Sequence, residues 1–202
     1  MYLSRLSLPL ADRQTQELLA NPYELHRALM EALPTPAGRV LFRVEPPGRH
    51  ASAAVVLVQS EDEPNWDNAG LPRSTTAEKK AFDLDLAQGA RFRFRLRANP
   101  TARRKIDGGT EGKRVGLTKE EDQRAWLVRK GKRGGFRPDG VVVIDEGQVK
   151  ATKPDGHTLT FRSVRFEGVL EVTDPDRLRA AVETGIGSAK AFGFGLLSVA
   201  RA

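Results

Sequence analysis

The order of strand-like and helix-like segments predicts an α+β protein of two tandem units, each running strand–helix–strand–strand–helix–strand. Three observations carry this. Short runs alternate apolar and polar residues with a period of two, as half-buried strands do. Capped amphipathic helical segments stand between those runs. A stretch rich in glycine and basic residues at 99–113 interrupts the pattern near the middle of the 202 residues.

Taken in order, residues 2–8 read as a strand. Asn21 to Leu33 reads as a helix: Asn21 suits the N-cap, Pro22 the first turn, and Glu24 completes an Asn variant of the capping box. Val40–Val44 and Ala54–Gln59 are strands joined through EPPGRHAS, and 60–88 is irregular. The run RFRFRLRA at 91–98 alternates strictly and closes the first unit. A short strand at 114–117 opens the second. Thr118 to Glu121 is a capping box for a helix to about Lys130, and strands follow at 141–145, 147–152 and 158–172. KPDGHT at 153–158 is a hairpin turn signal, and Asp174-Pro175 starts a helix that buries Leu178, Ala181 and Val182. A glycine-rich loop and a strand at 196–200 end the chain. This is the ferredoxin-like βαββαβ order twice, with a weak second helix in the first unit. The expected organisation is an N-terminal domain at 1–98, a basic linker loop at 99–113 and a C-terminal domain at 114–202.

The charge narrows the function classes. Of 33 Lys+Arg and 26 Asp+Glu, residues 91–137 hold 16 and 5, a surplus of +11; the other 155 residues hold 17 and 21, or −4. One concentrated basic block points to a polyanionic partner. Within it, Arg91, Arg93, Arg95 and Arg97 share one strand face, where each needs a carboxylate or a phosphate. Arg103, Arg104, Lys105, Lys113 and Arg114 lie in the loop that follows. The chain has no cysteine, which excludes a disulfide framework, a thiolate metal site and a cysteine nucleophile. No run reaches the ~20 apolar residues of a membrane span, and the N-terminus is too short and interrupted for a signal peptide. A cytoplasmic protein without membrane attachment, metal or cofactor is expected.

The helix NPYELHRALMEAL carries the chemistry. At 100° per residue Leu25, Ala28, Leu29, Ala32 and Leu33 form one apolar stripe. Tyr23, His26, Arg27 and Met30 fall on the opposite, exposed face. An imidazole can exchange protons with a ribose 2′-hydroxyl or a 5′-oxygen leaving group, a phenol can orient the nucleophile, and a guanidinium can neutralise charge on phosphorus oxygens. The three histidines are widely spaced, and the carboxylate pairs Asp83/Asp85 and Asp174/Asp176 read as caps or surface.

The NPYELHR helix, the RFRLRANP strand, the GKRV segment, FEGVLEVTDP and the closing GIGSAKAFGFGLLSV stand in an order that resembles the CasE family of CRISPR RNA-processing endoribonucleases of the type I-E Cascade complex. The resemblance implies two tandem ferredoxin-like (RRM-like) domains. It implies metal-independent cleavage of precursor CRISPR RNA at the 3′ side of the repeat stem-loop, giving a 5′-hydroxyl and a 2′,3′-cyclic or 3′-phosphate. The partners it implies are the repeat stem-loop, in precursor and mature crRNA, and the other Cascade subunits. The family's histidine falls on His26 and its tyrosine on Tyr23. A basic residue further along the helix occurs in some members, whereas Glu31 stands here; Arg27 or Lys190 could take that role. The family's RNA-inserting hairpin corresponds to Val149–Thr158, with Lys150 and Lys153 as phosphate contacts. An aromatic fraction of 6% suits a stem gripped by its phosphates better than a single-strand stacking platform. Two other readings stay open: a non-catalytic RNA-binding scaffold, suggested by Glu31, and a metal-dependent nuclease using scattered carboxylates.

Overall fold

The structure is a computed structural model that describes residues 1–105 and 112–201. Its first sheet holds β1 (Tyr2–Pro9), β2 (Val40–Val44), β3 (Ala53–Ser60) and β4 (Thr76–Ala81) in the order β2-β3-β1-β4. β1 is central and antiparallel to both β3 and β4. Its alternation buries Leu6 and Leu8, and the same period buries Ala54, Val56 and Val58 of β3. Two helices, α1 (Arg13–Ala20) and α2 (Pro22–Met30), supply Leu18, Leu25 and Leu29 to that core. Between β3 and β4 stands a 3-10 turn, Trp66–Asn68, whose Trp66 indole donates to Ser4 Oγ at 3.1 Å.

The second sheet has the same order. β5 (Arg91–Ala98), β8 (Phe136–Thr152), β9 (Thr158–Val172) and β10 (Leu197–Arg201) are arranged β10-β5-β9-β8. α3 (Glu120–Arg133) and α4 (Pro175–Thr184) bury Trp126, Leu127, Leu178 and Val182, and Trp126 stacks on Phe166 of β9 at 6.0 Å. Each sheet therefore has the strand order 4-1-3-2 of a ferredoxin-like unit, as expected. By contacts the chain forms two compact units: Met1–Asp85 with Lys150–Leu159 and Ala189–Leu196, and Leu86–Val149 with Thr160–Ser188 and Leu197 onward.

Several elements differ from the sequence expectation. The arginine strand opens the second unit instead of closing the first, since β5 pairs with β9 and β10. The strand that closes the first sheet is β4, TAEKKA; it is exposed at every residue, so no alternation marks it. Part of the expected linker loop is paired: β6 (Thr101–Lys105) and β7 (Gly112–Gly116) make an antiparallel ribbon, while 106–111 lie outside the described residues. α1 is an additional helix that the sequence pattern does not predict. β8 is one 17-residue strand, with Gly140 (φ +54) and Gly147 (φ +83) breaking its alternation. α3 has no side-chain cap on Lys119; Glu120, Glu121 and Asp122 in its first turn complement the helix dipole instead.

Candidate active site

α2 starts as the sequence dictates. Asn21 Oδ1 accepts the Tyr23 backbone N–H at 3.3 Å, Pro22 fills the first turn, and Leu25, Ala28 and Leu29 are buried. The opposite face is less open than expected. Arg27 is exposed and donates to Glu24 at 2.9 Å, whereas Tyr23 and His26 are half-buried. The reason lies in β2: the Phe42 ring stacks on the His26 imidazole, with centroids 6.0 Å apart and planes at 11°. A Cβ at Gly193 would stand 3.1 Å from that ring, and Gly193 has φ +81, so this close approach uses glycine's missing side chain. Burial holds the His26 pKa below the ordinary histidine value. Its Nδ1 has no hydrogen-bond partner among the described residues. Burial thus favours the neutral imidazole, and one of its ring nitrogens is left without a partner among the described residues.

Two further segments of the same compact unit flank this helix. One is the turn of the β8–β9 hairpin. Lys153 N–H donates to His157 O at 3.0 Å and Gly156 N–H to Lys153 O at 2.9 Å; Lys150 is exposed and Lys153 half-buried. Asn21 joins this turn to α2: its Nδ2 donates to Thr152 O at 2.8 Å and its Oδ1 accepts Thr152 N–H at 3.2 Å. The other segment is the glycine-rich stretch, whose 3-10 turn Lys190–Phe192 lies against α2 and β2. Arg43, only 2% exposed, anchors it: paired with Glu45 at 2.6 Å, it also donates to Leu196 O at 3.1 Å. Tyr23, His26, Arg27, Lys150, Lys153 and Lys190 therefore belong to one unit. Glu31 turns elsewhere, its carboxylate lying against Gly70.

The arginine strand belongs to the other unit, and its face is largely neutralised from within. Arg91 pairs with Asp139 at 2.8 Å, Arg95 with Glu167 at 2.9 Å and Arg97 with Glu146 at 2.7 Å. Arg165 ties Glu146 and Glu167 into the same ladder. Burial alone would raise the Glu146 carboxyl, but the Arg97 charge and hydrogen bonds from Ser163, Arg97 and Arg165 hold it below the usual range. Arg93 is exposed with no ion pair among the described residues. In the β6–β7 ribbon Arg103 lies opposite Arg114, Arg104 opposite Lys113, and Lys105 opposite Gly112. Like charges in facing positions are destabilising unless an anion intervenes.

A cationic group that the sequence reading left out adjoins this ribbon. Burial lowers the Lys130 pKa, and the charges of Arg133, Arg114 and Arg129 lower it further. Its ammonium sits 5.5 Å from the Trp126 ring. In sequence these cations look like partners of a helix C-terminus, and only the fold brings Arg114 to them. Among the described residues, no group of three or more His, Asp and Glu side chains is placed to hold a metal, and no helix is long and apolar enough to cross a membrane.

Comparison with known proteins identifies the family. Residues 1–201 match the family described as CRISPR associated protein. The CRISPR-associated endoribonuclease Cse3 of Thermus thermophilus is 40% identical, over 99% of this chain and all of that protein. The CRISPR system Cascade subunit CasE of Escherichia coli strain K12 is 35% identical, with 99% of each chain covered. The structure of Thermus thermophilus Cse3 bound to an RNA representing a pre-cleavage complex superposes with a TM-score of 0.84 at 38% identity, covering 98% of each chain.

Proposed function

The chain belongs to the CRISPR-associated protein family matched over residues 1–201, and from that premise we propose that it is an endoribonuclease that cuts precursor CRISPR RNA beside the repeat stem-loop without a metal ion. The observation that carries this reading is the site on α2, where a half-buried, neutral His26 and Tyr23 share the first two turns of a capped helix.

The chemistry follows from the groups present. Neutral His26 takes the proton of the ribose 2′-hydroxyl, and the 2′-oxygen attacks the adjacent phosphorus. The P–O5′ bond breaks, the departing 5′-oxygen takes a proton from solvent water, and the imidazolium returns its own proton to solvent. The products are a 2′,3′-cyclic phosphate on one strand and a 5′-hydroxyl on the other. The lowered pKa of His26 favours its action as the base at neutral pH, because the proton-accepting form predominates there. Tyr23 orients the nucleophile. Arg27, released from Glu24, or Lys190 neutralises charge building on the phosphoryl oxygens. Lys150 and Lys153 hold phosphates near the cleavage point. Arg93, Arg103, Arg104, Lys105, Lys113 and Arg114 grip the stem. Arg95 and Arg97 already have carboxylate partners, so they shape that surface more than they bind through it. The product remains bound, and the enzyme stays with the mature guide as a subunit of the cytoplasmic Cascade complex.

Incubation with repeat stem-loop RNA in EDTA, followed by end-group analysis, tests the reading. His26→Ala should lower the single-turnover rate about 10²–10⁴-fold and leave stem-loop affinity nearly unchanged. Cleavage by the variant at the wild-type rate would remove His26 from the mechanism. An absence of cyclic phosphate with the wild-type protein would favour a non-catalytic scaffold, and loss of cleavage in EDTA would favour a metal-dependent nuclease.

A further inference from the structure

The two bonds between Asn21 and Thr152 do something that capping a helix does not require. A helix N-cap needs one side-chain oxygen on one N–H, and Asn21 supplies it to Tyr23. The same amide then pairs with both main-chain polar groups of Thr152, accepting its N–H at 3.2 Å and donating to its carbonyl at 2.8 Å. The side chain so behaves like a short piece of strand, added to the end of β8 131 residues further along. Serine or aspartate would cap the helix equally well, but neither has the Nδ2 donor. Asparagine alone of the good caps satisfies all three bonds.

What lies on each side gives the clip its meaning. Tyr23 and His26 are two and five residues beyond Asn21, and Lys150 and Lys153 are two before and one after Thr152. We propose that Asn21 is a positioning residue that couples phosphate capture by Lys150 and Lys153 to the placement of Tyr23 and His26. This rests on the endoribonuclease reading of the same site. Closing the hairpin turn on the RNA backbone then fixes the first turn of α2. In-line attack tolerates little misplacement, about 1 Å being worth up to roughly 10² in rate.

Asn21→Ser keeps the cap and removes the clip. Its melting temperature should match wild type, its affinity for repeat stem-loop RNA should stay within about twofold, and its saturating single-turnover rate should fall about tenfold. Coupling is read in a double-mutant cycle: Lys153→Gln slows cleavage in the wild-type background and should have much less effect on rate in Asn21→Ser. Rate losses that simply multiply would overturn the coupling. Amide exchange gives a readout independent of activity, because exchange across 150–159 should quicken in RNA-free Asn21→Ser while helix 22–30 stays protected. Unchanged exchange at 150–159 would overturn the clip. If Asn21→Ser melts early, Asn21→Asp, which keeps the cap and both acceptor bonds but opposes a carboxylate to the Thr152 carbonyl, carries the same comparison. A wild-type protein that binds the stem-loop without cutting it would sink the endoribonuclease reading and leave the exchange experiment to judge the clip.

Discussion

Replacing Phe42 by valine should change the titration of His26 more than any substitution that leaves the α2 side chains alone. Phe42 is 1% exposed and covers the imidazole face at 6.0 Å. The loss of stability lies between the ~1.5 kcal/mol of a volume-conserving core swap and the ~3–5 kcal/mol of Phe→Ala, so about 2–3 kcal/mol. At roughly 2–4 °C per kcal/mol in a chain of this size, the melting temperature should drop ~4–12 °C. The effect on chemistry is separate. With the ring gone, water reaches the imidazole, and its pKa climbs back toward 6.5. The sign follows from linkage. Folding favours the neutral form of a group whose pKa it depresses, so His26's contribution is full above 6.5 and lost as pH falls through the folded value. If neutral His26 is the base, the acid limb of kcat/KM lies below pH 6.5 in the wild type and moves up in Phe42→Val. Single-turnover cleavage from pH 5 to 8, beside an NMR titration of the His26 ring, measures both. An unmoved ring titration in a folded Phe42→Val protein would refute the burial argument. A shifted titration without a shifted rate profile would refute the role of His26 as base.

Three other outcomes are expected. Gly193→Ala forces a Cβ to 3.1 Å from the Phe42 ring at φ +81; it should cost about 1–3 kcal/mol, seen in thermal melts, with cleavage lost in parallel. Glu146→Gln strips one carboxylate from two arginines and Ser163; urea unfolding should show a loss of about 2 kcal/mol, below the ~3–5 of a fully buried pair because both sides keep some solvent. As the Glu146 pKa is depressed, its stabilisation is full above the unfolded value near ~4.3 and fades as pH falls through the folded one, so the variant should lose less stability than wild type over that acid range. Arg93→Gln should weaken stem-loop binding and reduce the salt slope by ~0.7–0.9, whereas Arg97→Gln should chiefly lower stability; equal effects of the two on the salt slope would contradict the division between open and paired arginines.

Much of the fold was legible because its strands alternate. β1, β3, β5 and β9 bury every second residue or nearly so, and a period of two is a local property of the chain. The elements that escaped lack such a signal. β4 is exposed throughout, and α1 offers a single buried leucine, Leu18. The place of β5 was wrong for a related reason: once β4 is invisible, the next clear strand fills its position. The α2 site was legible in its cap and apolar stripe, which are spacings within thirteen residues. Its burial was not, because Phe42 and Gly193 come from β2 and from the far end of the chain, and helical periodicity describes a face without saying what lies on it.

The basic block shows the same limit in electrostatic form. A count of +11 over residues 91–137 treats all its cations alike. The fold sorts them by whether a carboxylate stands across the sheet, and register decides that. Arg95 lies opposite Glu167 because β5 and β9 pair in that register; a slip of one residue would set it against Phe166 or Gly168 and turn its side chain to the other face. In the β6–β7 ribbon register instead sets like against like, Arg103 against Arg114 and Arg104 against Lys113. Cross-strand repulsion of that kind weakens a free ribbon and is relieved by a phosphate between the strands. If the ribbon grips RNA as proposed, binding stabilises the ribbon itself. Which cations face a carboxylate and which face a like charge is therefore a property of register, which a net charge cannot identify.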